Sequence, residues 1–270
     1  MFVLKEYPMQ DRLRIPIYIW LPDLGYLDEG SLLQALNLTR VEDVVDHVAL
    51  MPDTHQGYGM PIGGVIATKE TLIPNAVGVD IGCGIRFTRT DLRQEEISRS
   101  LLAKWMEEII QMIPLGFSHH QSKQPAVSLD RFVREHAEER YHQTLWQEIS
   151  KSYFQMGTLG GGNHFIEFQV DESGCLCLMV HSGSRNFGYK IARYFNQTAQ
   201  KNRKKWNNRQ NANCQLDFLP VNSVEGNSYL NWMHVARNFA EENRQQMTQV
   251  ILQRMENSCP RMAITEAIDI

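Results

Sequence analysis

Two side chains that can bind a metal ion lie three residues apart in a glycine-rich turn. The segment NAVGVDIGCGIRF contains Asp80 and Cys83. A carboxylate and a thiolate that face one point can bind a cation together. The segment also fits a tight bend, in which the carboxylate accepts local backbone hydrogen bonds and the cysteine is a small buried side chain. Both interpretations are open on this segment alone.

Two later glycine-rich segments contain further polar residues of the same kind. GTLGGGNHFIE contains Asn163, His164 and Glu167, and VHSGSRNFG contains His181 and Arg185. Each segment alone is a weak signal, because a single histidine is commonly a hydrogen-bonded structural residue. GTLGGGNH lacks the lysine of a P-loop and the spacing of a dinucleotide fingerprint. The polar residues are expected at strand ends and turns, where a scaffold can hold functional groups.

Together these segments indicate a metal site beside a phosphate-binding arginine. Asp80, Cys83, His164 and His181 suffice for one metal ion, or for two ions that share the thiolate. Sulfur and imidazole favour zinc or iron, whereas the carboxylate admits manganese. Arg185 has the forked donor geometry that binds phosphate. A metal beside such an arginine favours phosphoryl or nucleotidyl transfer.

The surrounding elements indicate an α+β fold. Strands are predicted for LRIPIYIWLP, HFIEFQV and CLCLMVHSG. Helices are predicted for RQEEISRSLLAKWMEEIIQMI, which Pro114 stops, and for SYLNWMHVARNFAEENRQQMTQVILQRM. SLDRFVREHAEERYHQTLWQEI is predicted to be a solvent-facing helical stretch. We therefore expect an α+β protein.

Composition limits the class of protein further. The 270 residues are 43% hydrophobic and 21% charged, with a net charge of −4, as in ordinary globular proteins. No apolar run is long enough to cross a membrane, and the N-terminus does not read as a signal peptide. Five cysteines are few and odd in number, which favours a reducing, cytoplasmic location. A dense basic cluster is either an RNA contact or a solvated helix end. It comprises Lys201, Arg203, Lys204, Lys205, Trp206 and Arg209.

The motifs resemble those of the RtcB family of RNA ligases. MPDTHQGYGMPIGGVIAT, VGVDIGCG, GTLGGGNHFIE and HSGSRNFG occur in the family's order, and NFAEENRQQM resembles the family's helix with an A..NR signature. The motifs extend from Met51 to about Met247, so the resemblance covers most of the chain. It implies a single mixed-sheet catalytic domain of RtcB type over residues 1–270.

The resemblance also implies an activity and its cofactors. Family members join RNA ends with a 2′,3′-cyclic phosphate or 3′-phosphate to ends with a 5′-hydroxyl, in tRNA splicing and RNA repair. They use GTP and two Mn(II) ions, and a histidine is guanylylated first. The expected partners are RNA and an activating protein such as archease, with no membrane. Manganese is the metal implied by the family, whereas the ligand types alone favour zinc or iron.

By the same resemblance, individual residues receive roles. Asp80, Cys83 and His164 would hold one manganese, and Cys83 and His181 would share the second. Arg185 would position an RNA phosphate. Asn163 would contact the phosphate of the nucleotide, and Glu167 would hold the guanine base. Asp53 and His55 would line the same site without an assigned role.

The family's remaining catalytic parts lie downstream of the A..NR helix. They are a third metal-binding histidine, the histidine that accepts GMP, and a C-terminal lysine. Their motifs do not occur in these 270 residues, and His234 lies inside a helical pattern, which does not suit a nucleophile. The expectation is a C-terminally truncated chain, the front portion of a ligase domain, which does not form a guanylylated enzyme.

Two other functions are compatible with the same residues. One is a non-catalytic fragment that binds metal and RNA or nucleotide, for which RNA binding without product would be the sign. The other is a metal-dependent phosphoesterase that uses water as the nucleophile. Hydrolysis of a cyclic phosphate without ligation would indicate that activity.

Overall fold

A computed structural model describes residues 1–5, 13–136, 142–206, 208 and 212–270. The helices are α1 (Glu29–Leu38), α2 (Pro74–Val77), α3 (Arg99–Met112), α4 (Val127–Glu135), α5 (Gln143–Ser152), α6 (Arg185–Lys201) and α7 (Val224–Ser258). The strands are β1 (Phe2–Leu4), β2 (Ile17–Ile19), β3 (Val44–His55), β4 (Ile62–Thr68), β5 (Thr71–Leu72), β6 (Gly84–Arg93), β7 (Phe165–Val170), β8 (Cys175–Ser182), β9 (Leu219–Pro220) and β10 (Ile264–Asp269). Helices combined with mixed and antiparallel sheets confirm the predicted α+β class.

The chain forms two compact units. The first contains Met1–Val79 and Ala192–Asn231, and the second contains Asp80–Ile191 and Trp232–Ile270. Helices α6 and α7 contribute residues to both units. Every metal ligand predicted from the sequence belongs to the second unit. That residues 1–270 act as one ligase domain stays a prediction.

The first unit is built on a four-stranded mixed sheet in the order β1-β2-β3-β4. β2 and β3 are parallel, and the other two pairs are antiparallel. The strand predicted for LRIPIYIWLP is limited to Ile17–Ile19, because Pro16 and Pro22 flank it and proline cannot donate to a sheet ladder. Ile17 and Ile19 are fully buried against Leu38 and Leu50 in this unit's core.

The second unit is built on an antiparallel sheet in the order β10-β6-β8-β7. The central strand β8, CLCLMVHS, is buried along almost its whole length, as expected for an apolar strand covered on both faces. Its register places His181 opposite Ile85 of β6 and Phe165 of β7. The core of this unit comprises Trp105, Ile109, Ile113, Leu159, Leu176, Leu178, Val180, Met247, Ile251, Leu252 and Met255.

Helix α3 is shorter than the sequence predicted. It begins after Ser98, whose hydroxyl accepts a hydrogen bond from the Leu101 amide at 3.1 Å, which is the usual capping contact. The predicted start at Arg93 is therefore wrong, since Arg93 ends strand β6. The predicted stop is confirmed, because the helix ends at Met112 and Pro114 disfavours helical geometry in the preceding residue.

The helical prediction for residues 128–149 is confirmed at α4 and α5, but the expectation that the stretch faces solvent is wrong for its inner face. The segment contains the separate helices α4 and α5, and residues 137–141 lie outside the described residues. The Phe132 ring lies 5.6 Å from Trp146 and 4.8 Å from Trp232, measured between ring centroids. Leu129 and Leu145 are buried as well. Aromatic packing of this kind makes both helices part of the core.

The long helix α7 confirms the predicted helical pattern near the C-terminus. Its buried residues recur every three or four positions, which is the spacing of one helix face. In the part of the chain that the structure describes, no helix is both long and apolar enough to cross a membrane.

Candidate metal centre

The turn before strand β6 holds Asp80 and Cys83 together. The Cys83 amide donates to the Asp80 carbonyl at 3.0 Å, which closes a four-residue turn. Gly82, the third residue of this turn, has φ +76°, a conformation that glycine adopts without steric cost. Asp80 and Cys83 are three residues apart in the sequence because they are the first and last residues of this turn. The turn brings both side chains to one site.

The two histidines come from neighbouring strands of the same sheet. His164 directly precedes β7, and His181 is the seventh residue of β8. Because β7 and β8 are antiparallel and Phe165 pairs with His181, the strands bring both histidines to the same end of the hairpin. Their ring centroids are 5.5 Å apart.

The four side chains form one cluster. One ligand atom each from Asp80, Cys83 and His164 lies within 4.8 Å of the other two. Cys83 Sγ lies 3.6 Å from His164 Nε2 and 3.2 Å from His181 Nε2. His164 Nε2 lies 2.9 Å from Asp80 Oδ2. The thiol thus contacts both imidazoles, the arrangement a shared ligand needs. That the cluster binds metal stays a prediction.

The hydrogen bonds of His164 favour a cation in this cluster. His164 Nδ1 lies 2.9 Å from the Leu159 carbonyl oxygen, so the Nδ1 proton is assigned to that bond. Nε2 then faces the Asp80 carboxylate with a lone pair, and two acceptors at 2.9 Å require positive charge between them. A proton on Nε2 or a metal ion supplies it. The residues present therefore fit a divalent cation.

The protonation of Cys83 depends on such a cation. The surrounding protein, and then the negative charge of Asp80, raise the pKa of the Cys83 thiol to about 12, although the residue is exposed to solvent. A metal ligand must be the thiolate, so a bound cation would displace this proton. Burial, and then the neighbouring His164, lower the pKa of His181, which favours the neutral imidazole that a metal requires.

Asp80 is held in place by the short segment between β8 and α6. The Ser184 amide donates to Asp80 Oδ1 at 3.1 Å. Burial acts to raise the pKa of the Asp80 carboxyl, but the hydrogen bond and charge of His164 outweigh it and the pKa is lowered. A Cβ at Gly183 would lie 2.3 Å from both carboxylate oxygens, so glycine is required there for the carboxylate to approach.

Arg185 lies beside the cluster in a strained conformation. It begins α6 with φ +59°, which is uncommon for a residue with a side chain. Its guanidinium lies 3.3 Å from Thr158 Oγ1, 3.3 Å from His164 Nδ1 and 3.5 Å from the Gly116 carbonyl oxygen. The contacts with Thr158 and Gly116 are at the long end of hydrogen bonding, and the protonated Nδ1 of His164 offers the arginine no acceptor, so the fork retains donors for an anion.

Asn163 and Glu167 flank the histidines. Asn163 is exposed and directly precedes His164. Glu167 accepts a hydrogen bond from Gln169 and lies opposite Met179, two positions along the hairpin from the Phe165–His181 pair. Residues two apart on a strand share a face. Glu167 therefore lies on the face of the sheet that carries His181, and the roles of Asn163 and Glu167 stay predictions.

Asp53 and His55 lie in the first unit, at the end of strand β3. Both are exposed, and His55 Nδ1 lies 2.8 Å from the Asp53 carbonyl oxygen. The hydrogen bond is local to the strand, and a role for either side chain stays a prediction.

The basic cluster of the first unit is partly neutralised by neighbouring acids. Arg203 pairs with Asp217 at 2.8 Å and Lys205 with Glu225 at 3.2 Å. The Lys205 ammonium also lies 5.4 Å from the centroid of the Trp206 ring. Arg209 lies outside the described residues. A direct RNA contact at this cluster stays a prediction.

Three residues around the cluster received no role from the sequence. Ser184 binds Asp80, and Asn243 and Arg244 are buried beside the strand ends that carry the ligands. The available signal was the A..NR signature, whose last two residues are Asn243 and Arg244. An amide and a guanidinium on an apolar helix face are costly to bury unless both are hydrogen-bonded.

Comparisons with known proteins agree with these motifs. The profile of the family described as tRNA-splicing ligase RtcB matches residues 34–270. RNA-splicing ligase RtcB of Escherichia coli K12 is 33% identical over 93% of this chain and 64% of its own length. The tRNA-splicing ligases RtcB of Aeropyrum pernix and Thermococcus kodakarensis are each 31% identical, over 87% and 96% of this chain and 58% and 63% of their own lengths.

The α+β fold and the order of the motifs thus agree with the family model. The chain belongs to the RtcB family. It spans about three fifths of the length of the curated relatives it matches.

Proposed function

We propose that this chain is an RNA ligase that uses GTP and Mn(II) to join a 2′,3′-cyclic phosphate or 3′-phosphate end to a 5′-hydroxyl end. The observation that carries the proposal is the convergence of Asp80, Cys83, His164 and His181. The names of the relatives, RNA-splicing and tRNA-splicing ligases, support the reaction class.

The chain's own residues would divide the metal site in two. Asp80, Cys83 and His164 would hold one Mn(II), and the thiolate of Cys83 would be shared with a second ion on His181. When bound, manganese supplies positive charge that stabilises developing negative charge on phosphoryl oxygens. The bond from His164 Nδ1 to the Leu159 carbonyl at 2.9 Å keeps Nε2 directed at the site.

Arg185 would bind the RNA phosphate next to this site. Its guanidinium is always charged and presents donors in a fork that matches phosphate oxygens. Burial lowers the pKa of Arg185, and the nearby Asp80 and Cys83 act in the opposite direction. A phosphate would exchange the long contacts of the arginine for short, charge-assisted bonds.

Asn163 and Glu167 would bind the nucleotide. The exposed amide of Asn163 can donate to a phosphate oxygen. A carboxylate such as Glu167 can accept hydrogen bonds from the ring and exocyclic N–H groups on one edge of guanine. The bond from Gln169 to Glu167 would orient that carboxylate. This pairing would favour GTP over ATP, because adenine lacks the matching pair of donors.

The proposed partners are broken RNA or tRNA halves, with a protein such as archease as an activator. The proposed location is the cytoplasm. The five free cysteines support a reducing compartment.

The direct test is a joining assay with two RNA oligonucleotides, one ending in a 2′,3′-cyclic phosphate and one beginning with a 5′-hydroxyl. Joined RNA is expected when the chain, Mn(II) and GTP are all present, and each omission should remove it. A parallel reaction with archease tests the activator. Cys83→Ala should remove joining, whereas Cys259→Ala, which changes a half-buried thiol in the same unit, should leave it.

Other outcomes separate the alternatives. RNA retarded in a gel without product would favour a non-catalytic binding fragment, and opening of the cyclic phosphate without joining would favour a phosphoesterase. Intact mass after incubation with Mn(II) and GTP decides between the proposed ligase and the sequence analysis, in which no motif for the guanylylated histidine was found. A GMP adduct would support the ligase and identify a nucleophile within this chain, whereas no adduct and no joined RNA would favour the two alternatives.

The identity of the metal needs its own measurement. Thiolate and imidazole ligands favour zinc on affinity alone, whereas the family implies manganese. We expect Zn(II) to bind more tightly and Mn(II) to support joining. Joining with Zn(II) and not with Mn(II) would contradict the proposed cofactor.

A further inference from the structure

Helix α7 carries two adjacent polar residues on its buried face. Asn243 is 0% exposed and Arg244 is 4% exposed, whereas Ala240 and Met247 on the same face are apolar. A buried amide and a buried guanidinium are unfavourable unless their polar atoms are bonded. The hydrogen bonds of Asn243 and Arg244 therefore indicate what these two residues do on the buried face of the helix.

Arg244 joins the two backbone segments that carry Cys83 and His181. One nitrogen, Nη1, donates to the Gly82 carbonyl at 2.7 Å and to the Ser182 carbonyl at 2.9 Å. Gly82 directly precedes Cys83, and Ser182 directly follows His181. A single guanidinium nitrogen thus connects the turn of one ligand to the strand end of the other.

The carboxylate of Asp269 fixes the orientation of this guanidinium. Arg244 Nε lies 3.1 Å and 3.2 Å from the two oxygens, and Nη2 also donates to Asp269. Such a paired, charge-assisted contact restricts the plane of the guanidinium. Asp269 lies on the edge strand β10, opposite Arg86 of β6.

Asn243 holds the loop before His164. Its Oδ1 accepts from the Gly157 amide at 2.7 Å and the Thr158 amide at 3.1 Å, and its Nδ2 donates to the Thr158 carbonyl at 3.1 Å. Nδ2 also lies 3.2 Å from Ser182 Oγ. The amide therefore links the loop to the end of β8.

This loop reaches the imidazole of His164 through one carbonyl. Ser182 Oγ donates to the Leu159 carbonyl at 2.9 Å, and the same carbonyl oxygen lies 2.9 Å from His164 Nδ1. The group bonded to one ring nitrogen determines which nitrogen is left for a metal. Asn243 thus acts on His164 through Ser182 and Leu159.

We propose that Asn243 and Arg244 are positioning residues for the metal centre. Side by side on one rigid helix, they hold the turn of Cys83, the strand end of His181 and the loop of His164 in the geometry that lets these ligands converge. The inference rests on the proposed function, because it concerns how the same site is assembled.

The test compares Mn(II) affinity, measured by calorimetry, among matched variants of the full chain. Arg244→Lys keeps the charge and loses the fork. Asn243→Asp keeps the acceptor and loses both amide donors. Ile251→Ala, two turns along the same helix and fully buried, is the control, because it creates a cavity in the core without changing Asn243 and Arg244, the pair that we call the clamp. Asp269→Asn is a milder variant should Arg244→Lys not fold.

We expect Arg244→Lys and Asn243→Asp to weaken Mn(II) binding by about 10- to 100-fold, as outer-sphere changes do, and Asp269→Asn to weaken it less. Ile251→Ala should bind as the wild type does. Unchanged affinity in the clamp variants would overturn the inference. Equal weakening in Ile251→Ala would also overturn it, because the effect would then follow from general stability.

A spectroscopic readout separates positioning from folding. With Co(II) as the probe at saturating concentration, the wild type should show thiolate-to-metal charge-transfer absorption from Cys83. That absorption should fall in Arg244→Lys and persist in Ile251→Ala. Identical spectra in wild type and Arg244→Lys would mean that the clamp does not place the thiol.

A metal-free measurement distinguishes failure of this inference from failure of the proposed function. Cross-peaks in NMR between the ring protons of His164 and His181 report their proximity without a cation, and Arg244→Lys should weaken them. Loss of these cross-peaks in a chain that binds no Mn(II) would support the clamp and contradict the metal site. Retained cross-peaks beside normal Mn(II) binding would overturn the clamp alone.

Discussion

The two ends of the β7–β8 hairpin each hold a carboxylate, but the protein surrounds the two carboxylates differently. At the turn, Asp171 accepts hydrogen bonds from the Ser173 amide and hydroxyl at 2.9 and 2.8 Å, from the Cys175 amide at 2.8 Å and from Arg89 at 2.5 Å. These donors satisfy the carboxylate completely. Asp171 is therefore a structural residue.

At the opposite end, the carboxylate faces an imidazole nitrogen as well as fixed donors. Asp80 Oδ1 accepts from the Ser184 amide at 3.1 Å and from the Ser184 hydroxyl at 3.4 Å, and Oδ2 lies 2.9 Å from His164 Nε2. The thiol of Cys83 lies against His164 and His181. Both ends contain ionisable residues, so residue types alone do not separate an ion pair from a metal site. What separates them is whether the protein supplies enough donors.

The largest effect is expected for Cys83→Ala. Cys83 contacts both imidazoles, so its removal takes a ligand from each half of the cluster. Mn(II) affinity measured by calorimetry should fall by more than about 100-fold, because changes outside the ligand set already cost about 10- to 100-fold. Cys259→Ala should bind Mn(II) normally. Equal Mn(II) affinity in Cys83→Ala and Cys259→Ala would show that Cys83 is not a ligand.

Replacement of each carboxylate by an amide compares the two ends directly. Asp80→Asn should weaken Mn(II) binding about 10-fold or more, since the site loses a charged ligand. Asp171→Asn should leave Mn(II) affinity unchanged and lower the thermal midpoint, since Arg89 loses its partner. The reverse pattern would show that the assignment of the two ends is wrong.

A smaller effect is expected at two glycines, one near each end. Gly160 has φ +90° and Gly174 has φ +80°, so alanine at either should cost about 1–2 kcal/mol of unfolding free energy. A Cβ at Gly160 would lie 2.0–2.1 Å from the Arg185 guanidinium. Only Gly160→Ala should therefore weaken binding of an RNA 3′-phosphate end in the presence of Mn(II). The same loss in Gly174→Ala would show that backbone strain, and not displacement of Arg185, causes the weaker binding.

The smallest effect concerns pH at the turn. The hydrogen bond from Arg89, followed by those from Cys175 and Ser173, lowers the pKa of the Asp171 carboxyl. A lowered folded-state pKa gives stability that is present above the unfolded pKa of about 3.9 and is lost as the pH falls through the folded value. The difference in unfolding free energy between wild type and Asp171→Asn should therefore narrow from pH 7 to pH 2 in urea titrations. A difference in unfolding free energy that stays constant over this pH range would show that the lowered pKa of Asp171 does not contribute to stability.

Much of the site could be predicted from the sequence because its ligands lie in short, glycine-rich segments. The turn that joins Asp80 and Cys83 involves only neighbouring residues, and Gly82 within it indicates a bend. The pairing of His164 with His181 depends on the register of β7 and β8, which the sequence left open. The clamp from Asn243 and Arg244 could not be predicted, because the backbone segments that it joins lie 60 to 162 residues away along the chain.

The errors in the fold have similar physical causes. The start of α3 was misplaced because an exposed strand end and a helix start have similar composition around Arg93. The inner faces of α4 and α5 were missed because charged and polar residues separate the apolar ones along both helices. Their burial depends on contacts such as that of Phe132 with Trp232, which is 100 positions away.

The central claim is that Asp80, Cys83, His164 and His181 bind metal. Anomalous X-ray diffraction at the manganese edge, from crystals of this chain grown with Mn(II), tests it most directly. The account predicts an anomalous peak bounded by Asp80, Cys83 and His164, with a second peak between Cys83 and His181. No peak at these residues, or a peak at Asp171 instead, would contradict it.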